Sequence, residues 1–158
     1  MRKVIAGMLV ALAAVGATAF GALEAGASTG GAMKPHIVGT WADDTNLGAS
    51  TGGWELWSNG RVVALQGAPN FGGAASHKLN DFVGMVGDTL GDGYWLVTST
   101  GQVFPFGSVC LDKTLKRPRG VPASGIVGAV NLMSQTVEGF DLVSSNGAVF
   151  PFRCVPLG

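Results

Sequence analysis

Residues 93–107 read GYWLVTSTGQVFPFG, and residues 139–152 repeat this phrase almost unchanged as GFDLVSSNGAVFPF. A looser copy, GGWELWSNGRVVALQG, occupies residues 52–67. Self-similarity at a nearly fixed period is the sequence signature of a repeated supersecondary unit. The three phrases align on turn glycines that lie 41 and 46 residues apart, namely Gly60, Gly101 and Gly147.

A second landmark precedes each phrase in the same order, as HIVGTW from residue 36, DFVGMV from residue 81 and GIVGAV from residue 125. Two independent landmarks in a constant order make chance a poor explanation. We therefore expect a single domain over residues 36–158, built from three tandem units of about 45 residues. The units lie near residues 36–80, 81–124 and 125–158.

Each unit predicts three short strands, with a hairpin turn at the glycine because Asn and Gly tolerate positive φ. No segment after residue 30 sustains a 3.6-residue apolar period, so we expect an all-β fold with almost no helix. Both faces of the third strand are apolar, which predicts that it is covered on both sides. Alternation sends Tyr94 and Trp95 to opposite faces, so we expect at most one of them in the core. One face of the third strands carries Val63, Phe104 and Phe150, together with Leu65, Phe106 and Phe152.

The phrase Gly-Tyr-Trp-Leu-Val-x-Ser-x-Gly-x-Val-Phe-x-Phe-Gly, preceded by Ile-Val-Gly, resembles a repeat found in tandem in secreted actinobacterial proteins, mycobacterial ones included. The resemblance covers about residues 36–158 and is closest in the second unit. In the third unit Asp141 replaces the Trp, and in the first the hairpin is one residue shorter and lacks the Phe pair. The resemblance implies secretion and sheets arranged like propeller blades, and it implies no catalytic residues.

Three blades raise a problem of closure, because propellers typically close with four to eight blades. An unclosed propeller exposes strand edges that invite pairing. Two chains joined head to tail could close a six-bladed ring as a homo-oligomer. The alternatives are a pseudo-threefold β-trefoil-like barrel and an irregular small β domain. The resemblance favours propeller-like blades.

The N-terminus predicts export. Arg2 and Lys3 precede an apolar run over residues 4–20, and Ala-Gly-Ala at 25–27 supplies a cleavage motif, so residues 1–27 are typical of a secretory signal peptide. The run is too short and too rich in Ala and Gly to span a bilayer of about 30 Å. We therefore expect a secreted or cell-envelope-associated protein with no transmembrane segment after cleavage, and a flexible N-terminus over residues 28–35.

Charge and cysteine content narrow the classes of function. The chain without residues 1–27 has 8 basic and 9 acidic residues, which argues against a nucleic-acid partner. Cys110 and Cys154 follow the third strands of their units, and in an exported chain they predict a disulfide. Two cysteines and the distant His36 and His77 do not make a zinc site, so we expect no metal and no cofactor.

The sequence holds no catalytic motif of the nucleophile-elbow, zinc-protease or phosphate-loop type. Asp43 with Asp44, and Asp88 with Asp92, could act as paired carboxylates in glycoside hydrolysis. Their surroundings are typical of turns, in which Asp bonds its own backbone. We therefore expect a non-enzymatic module that binds a glycan, an envelope polymer or another protein, with a small carbohydrate-active hydrolase as the alternative.

Aromatic and basic residues supply the candidate binding sites. Trp stacks on sugar rings and anchors protein interfaces. The repeat equivalents of Trp95 are the charged residues Glu55 and Asp141, so we expect an exposed Trp95. A basic inter-repeat loop could contact anionic envelope polymers or lipid head groups. The candidate binding residues are Trp41, Trp54, Trp57 and Trp95 among the aromatics and Lys113, Lys116, Arg117 and Arg119 in the loop.

Overall fold

The structure, a computed structural model, describes residues 33–42, 52–88, 90–110, 117, 119–131 and 139–153. The described chain is all-β, as predicted, with one short 3₁₀ turn over Ala75–His77 and no α-helix. Nine strands form three separate antiparallel sheets of three strands each. The first sheet holds β1 Ile37–Ala42, β2 Gly53–Trp57 and β3 Val62–Leu65. The middle sheet holds β4 Phe82–Gly87, β5 Gly93–Thr98 and β6 Val103–Gly107. The third sheet holds β7 Ile126–Asn131, β8 Gly139–Ser144 and β9 Val149–Arg153.

Several predictions lie outside the described residues: the signal peptide over 1–27, most of the segment 28–35, the Asp43–Asp44 pair, and Lys113 and Lys116. Cys154 lies outside them as well. No described cysteine has a free thiol. Because Cys154 is not described, the Cys110–Cys154 pairing stays a prediction. Within the described part of the chain, no helix is both long and apolar enough to cross a membrane.

Each repeat unit folds into one sheet, which confirms the three-strand division. The turns that join the second strand of each sheet to the third are the same in all three sheets. The turn glycines Gly60, Gly101 and Gly147 have φ of 80°, 76° and 83°. Each donates its N–H to the carbonyl three residues earlier, at 2.8, 2.9 and 2.9 Å. Positive φ is easily reached only by residues such as glycine. Each unit therefore has a glycine at this turn, and the repeat is recognised in the sequence by these glycines.

The first strands of the sheets lie side by side in chain order, β1 against β4 and β4 against β7. A glycine at the centre of the strand permits this approach. A Cβ on Gly39 would lie 3.4 Å from the amide nitrogen of Met85, and one on Gly84 would lie 3.3 Å from that of Ala129. The shared Val-Gly landmark of the sequence is therefore the place where adjacent sheets come closest.

We call the face of a sheet that points to the next sheet its forward face, and the opposite one its backward face. The forward face of the first sheet packs on the backward face of the middle sheet, and the middle sheet packs on the third in the same way. The first core joins Trp54 and Leu56 to Phe82, Met85, Tyr94, Leu96 and Phe104. The second core joins Val86, Trp95, Val97 and Val103 to Ile126, Phe140 and Leu142.

The strand register corrects the repeat alignment of the first unit. A Cβ added to Gly52 would collide with the carbonyl oxygen of Leu65, just as one on Gly93 would collide with that of Phe106. Gly52, and not Gly53, is therefore the equivalent of Gly93, and the first hairpin is not one residue shorter. Counted from the turn glycine, the equivalent of Trp95 in the first sheet is Trp54 rather than Glu55.

In the part of the chain that the structure describes, the three sheets do not close on themselves, and only the middle sheet has a sheet packed on each of its faces. Its third strand, β6, begins buried on both faces at Val103 and Phe104, as predicted. In β9 the forward-facing residues Val149 and Pro151 are exposed, and β3 has no fully buried residue. The prediction that every third strand is covered on both sides is thus wrong for the two outer sheets, because they have a neighbour on one side only.

Candidate functional site

Trp95 is not an exposed binding residue. The side chain is 1% exposed, and its ring centroid lies 5.3 Å from that of Phe140 in the core between the middle and third sheets. The expectation of exposure was wrong because it rested on the misaligned Glu55 and on Asp141, which lies beside the exposed Val130 on the outward-facing side of the third sheet. Trp54, its true equivalent, is also 1% exposed and packs against Tyr94 at 5.5 Å. Both tryptophans serve the packing between sheets.

Tyr94 is buried together with Trp95, so the expectation that at most one of them lies in the core was wrong. The middle sheet has a neighbour on each side, and alternation then buries both residues. The Tyr94 hydroxyl donates a hydrogen bond to the carbonyl of Gly72 at 2.5 Å. Burial raises the pKa of Tyr94 to about 12. The phenol is therefore a structural donor and stays protonated at neutral pH.

Trp41 and Trp57 are the two half-buried tryptophans. The indole of Trp41 lies over Gly87, where an added Cβ would collide with the ring, so it fills the first inter-sheet core. Trp57 lies at the end of β2, paired with Ile37, on the backward face of the first sheet. The guanidinium carbon of Arg61 lies 4.2 Å from the centroid of the Trp57 ring. A cation over a Trp face is attractive, so this pair presents a preformed aromatic and basic surface.

The indole N–H of Trp57 has no hydrogen-bond partner among the described residues, although the atom is shielded from solvent. The carboxylate-bearing Glu55 follows the same alternation and lies on the same face, beside Thr40 on β1. Of the four candidate tryptophans, Trp57 alone combines partial exposure with charged neighbours. Trp57 therefore remains a candidate binding residue.

The basic loop is described only at Arg117 and at Arg119, and both are exposed. The side-chain methylenes of Arg117 lie within 3.7 Å of the position that a Cβ on Gly101 would take. Arg117 is thereby held near the hairpin turn of the middle sheet. Among the described residues, no contact joins Arg117 or Arg119 to Trp57, so the predicted candidates do not form one site.

Asp88 and Asp92 belong to the turn that joins β4 to β5. The Asp88 carboxylate accepts the N–H of Leu90 at 3.1 Å, and the Asp92 carbonyl accepts the N–H of Ser108 at 2.9 Å. A hydrogen bond to Asp88, burial and the charge of Asp88 raise the pKa of Asp92. The described residues contain no group of three or more side chains that could hold a metal ion. The pair closes a turn, as its composition predicted.

The forward face of the third sheet is open, and sequence reasoning did not identify it. Two of its valines are exposed although their equivalents in the middle sheet are fully buried: Val130 is 58% exposed whereas Val86 is 0%, and Val149 is 54% exposed whereas Val103 is 0%. No described atom lies within 4 Å of a Cβ added to Gly128, the equivalent of the crowded Gly39 and Gly84. We call this surface the open forward face; its exposed apolar residues are Val127, Val130, Val149 and Pro151.

One ion pair lies on the open forward face. Arg153 contacts Asp141 at 2.8 Å, and both side chains are partly exposed. Asp141 occupies the position that Trp54 and Trp95 fill in the other two sheets. An exposed pair of this kind contributes little to stability, roughly 0–1 kcal/mol. Its main effect is to replace a large ring by charge on the surface that has no neighbouring sheet.

The backward face of the first sheet is the second open surface, which we call the open backward face. Ile37 is 46% exposed there, although its equivalent Phe82 is 1% exposed against the preceding sheet. Leu65 is exposed on the same face. The open backward face is formed by Ile37, Thr40, Glu55, Trp57, Val63 and Leu65. A sequence signal for both faces existed, because the first and last units of a series each lack one neighbour.

No protein-family model, curated protein or solved structure matches this chain.

Proposed function

We propose that this protein is a secreted, non-enzymatic β-repeat module, of the tandem-repeat kind that its sequence resembles, which binds another polypeptide through its open forward face. The observation that carries the proposal is the exposure of Val127, Val130 and Val149 on one sheet face. Soluble proteins tolerate single exposed apolar residues, whereas a contiguous apolar set with a polar rim is typical of an interaction surface.

The shape of this face supports a polypeptide partner. The equivalent faces of the first and middle sheets each pack against a β-sheet, and Gly39 and Gly84 admit its first strand at close range. The open forward face has the same glycine, Gly128, at the same place. A sheet face with exposed valines and an open glycine in its first strand fits a second β-sheet better than it fits a small ligand.

A photo-crosslinking amino acid at position 130 tests this proposal. The purified protein is irradiated with the secreted and envelope fractions of the producing cell, and adducts are identified by mass spectrometry. We expect a discrete polypeptide adduct from position 130 and none from position 76, where Ser76 is exposed and belongs to the 3₁₀ turn between β3 and β4 rather than to a sheet face. Equal, diffuse labelling from the two positions, or no polypeptide adduct at all, would contradict polypeptide binding.

A second candidate is the binding of an anionic glycan or envelope polymer at Trp57. The support for it is the Arg61 guanidinium 4.2 Å from the Trp57 ring, since a cation beside an aromatic surface suits a sugar that carries a carboxylate or phosphate. We expect Trp57→Ala to weaken retention on an anionic polysaccharide column while Arg119→Ala leaves it unchanged. Equal retention of the two variants would contradict a site at Trp57.

The absence of catalysis is part of the proposal and rests on Asp88 and Asp92. The two residues lie in the one turn that joins β4 to β5, where Asp88 raises the pKa of the Asp92 carboxyl, whereas glycosidase carboxyls face each other across a sugar at roughly 5–9.5 Å. Release of reducing sugar from an envelope polysaccharide, lost in Asp92→Asn, would overturn this part and support the hydrolase alternative.

A further inference from the structure

The partner of the open forward face is, we infer, a second copy of this chain, which docks its open backward face there. This inference rests on the proposed function and names the polypeptide that the face binds. Two such contacts, one in each direction, would join two chains head to tail.

Continuity with the two interfaces inside the chain supports this occupant. At both of them a forward face covers a backward face, with the same repeat positions on each side. A forward face remains open on the third sheet and a backward face on the first. When the open forward face of one chain docks on the open backward face of another, it therefore pairs the same repeat positions as the two interfaces inside the chain.

The distribution of exposed apolar side chains supports both halves of the contact. Seven large hydrophobic residues are exposed in the described part of the chain, and five of them lie on the two open faces. Three are on the open forward face and two on the open backward face. Those five are Val127, Val130 and Val149, and Ile37 and Leu65.

The number of sheets favours a closed pair over a longer series. Propellers typically close with four to eight blades. The described residues of one chain supply three sheets, those of two chains supply six, and those of three chains would supply nine, which exceeds that range. A head-to-tail pair of two chains also satisfies both open faces of each chain, whereas any open series leaves two faces uncovered.

The contact between chains differs from the internal ones at one position. Inside the chain a forward Trp meets a backward aromatic ring, as in Trp54 with Tyr94 and Trp95 with Phe140. At the contact between chains the corresponding positions carry Asp141 and Gly53. The ring pair is missing and a charge stands near the contact, so the two chains associate reversibly, with a dissociation constant that depends on salt.

Sedimentation velocity over a wide range of protein concentration tests the inference. We expect the wild-type protein to pass from one to two chains as its concentration rises. Val130→Glu, on the open forward face, and Leu65→Glu, on the open backward face, each place a charge in both contacts of the pair. Each variant is expected to stay a single chain, while the control Ser76→Glu behaves as the wild type.

Mixing the two face variants separates this geometry from others. An equimolar mixture keeps one intact contact, between the unchanged forward face of Leu65→Glu and the unchanged backward face of Val130→Glu, so we expect two-chain particles to reappear. Circular dichroism and thermal midpoints like those of the wild type show that each variant is folded. A variant that fails to fold is replaced by Val149→Glu or Ile37→Glu, which change the same faces.

Three results would overturn the inference. The wild type could stay a single chain at every concentration. Leu65→Glu could still form pairs, which would mean that two forward faces meet each other. The mass could grow beyond two chains without limit, which would mean that the series does not close. If position 130 nevertheless crosslinks to a different polypeptide, the proposed function stands and only the identity of the partner is wrong.

Discussion

Replacing Trp95 by Ala tests whether the second inter-sheet core holds the middle and third sheets together. The side chain is 1% exposed, packs 5.3 Å from the Phe140 ring, and lies on β5 between Val86 and Pro105 of the adjacent strands. A buried Trp covers roughly 200 Å², and at about 25 cal/mol per Å² its loss costs about 5 kcal/mol.

Two effects lower that figure. The unfolded chain is itself partly compact, which removes roughly 10–40% of the area term. The indole N–H of Trp95 has no hydrogen-bond partner among the described residues, so its removal relieves a desolvation penalty of about 1–3 kcal/mol. Loss of the ring pair with Phe140 adds back about 1 kcal/mol. The expected loss of unfolding free energy is therefore about 3 kcal/mol, at the lower end of the range for Trp→Ala in cores.

Urea unfolding followed by circular dichroism measures the difference. The matched control is Trp57→Ala, which removes a half-exposed Trp and should cost about 1 kcal/mol or less. The denaturant dependence of both variants should match that of the wild type, since a changed slope would mean that unfolding is no longer two-state. A loss below 1 kcal/mol for Trp95→Ala, or equal losses for the two variants, would refute the assignment of Trp95 to the core.

Three further predictions concern the inter-sheet glycine, the acidic turn and the cysteines. Gly84→Val should lower the thermal midpoint strongly because its side chain would press on β7. Gly128→Val should leave the midpoint of the single chain unchanged. Equal effects of the two substitutions would contradict the close approach of the sheets. Because the pKa of Asp92 is raised in the folded protein, unfolding free energy should fall as pH rises from the usual value of 3.8 toward the folded pKa. Asp92→Asn should match the wild type below that window and exceed it at neutral pH in chemical unfolding, and a deficit at neutral pH would contradict the raised pKa. A thiol reagent should label neither Cys110 nor Cys154 in denatured, unreduced protein, and reduction should lower stability by about 4 kcal/mol; labelling of both before reduction would show that they are unpaired.

The strands and turns could be predicted from the sequence because local chemistry determines them. Gly60, Gly101 and Gly147 take positive φ, and counting from them places every hairpin correctly. The error arose at the adjacent glycines Gly52 and Gly53, either of which could begin β2 when the phrase is read alone. A slip of one residue moves a side chain to the other face of the sheet, and this slip made Glu55, rather than Trp54, the supposed equivalent of Trp95.

Burial could not be predicted from the repeat, since it depends on the number of sheets and not on any local pattern. Val86 and Val130 occupy equivalent positions on equivalent strands, yet Val86 has a sheet in front of it and Val130 has none. The same holds for Phe82 and Ile37 on the backward faces. Three of the four tryptophans chosen by residue type therefore pack in the cores, while the exposed apolar residues of the open faces are mainly valine, isoleucine and leucine.

Each sheet is built from one uninterrupted stretch of chain, and this arrangement bears on how the molecule acquires its structure. All strand pairs in the described residues join neighbours in sequence, so loops close over short distances, which favours fast folding. A chain that emerges N-terminus first can complete its first sheet before the second has appeared. Each later sheet can then pack on the forward face of the sheet that precedes it in the chain. The sheets therefore assemble in order, starting from the N-terminal one.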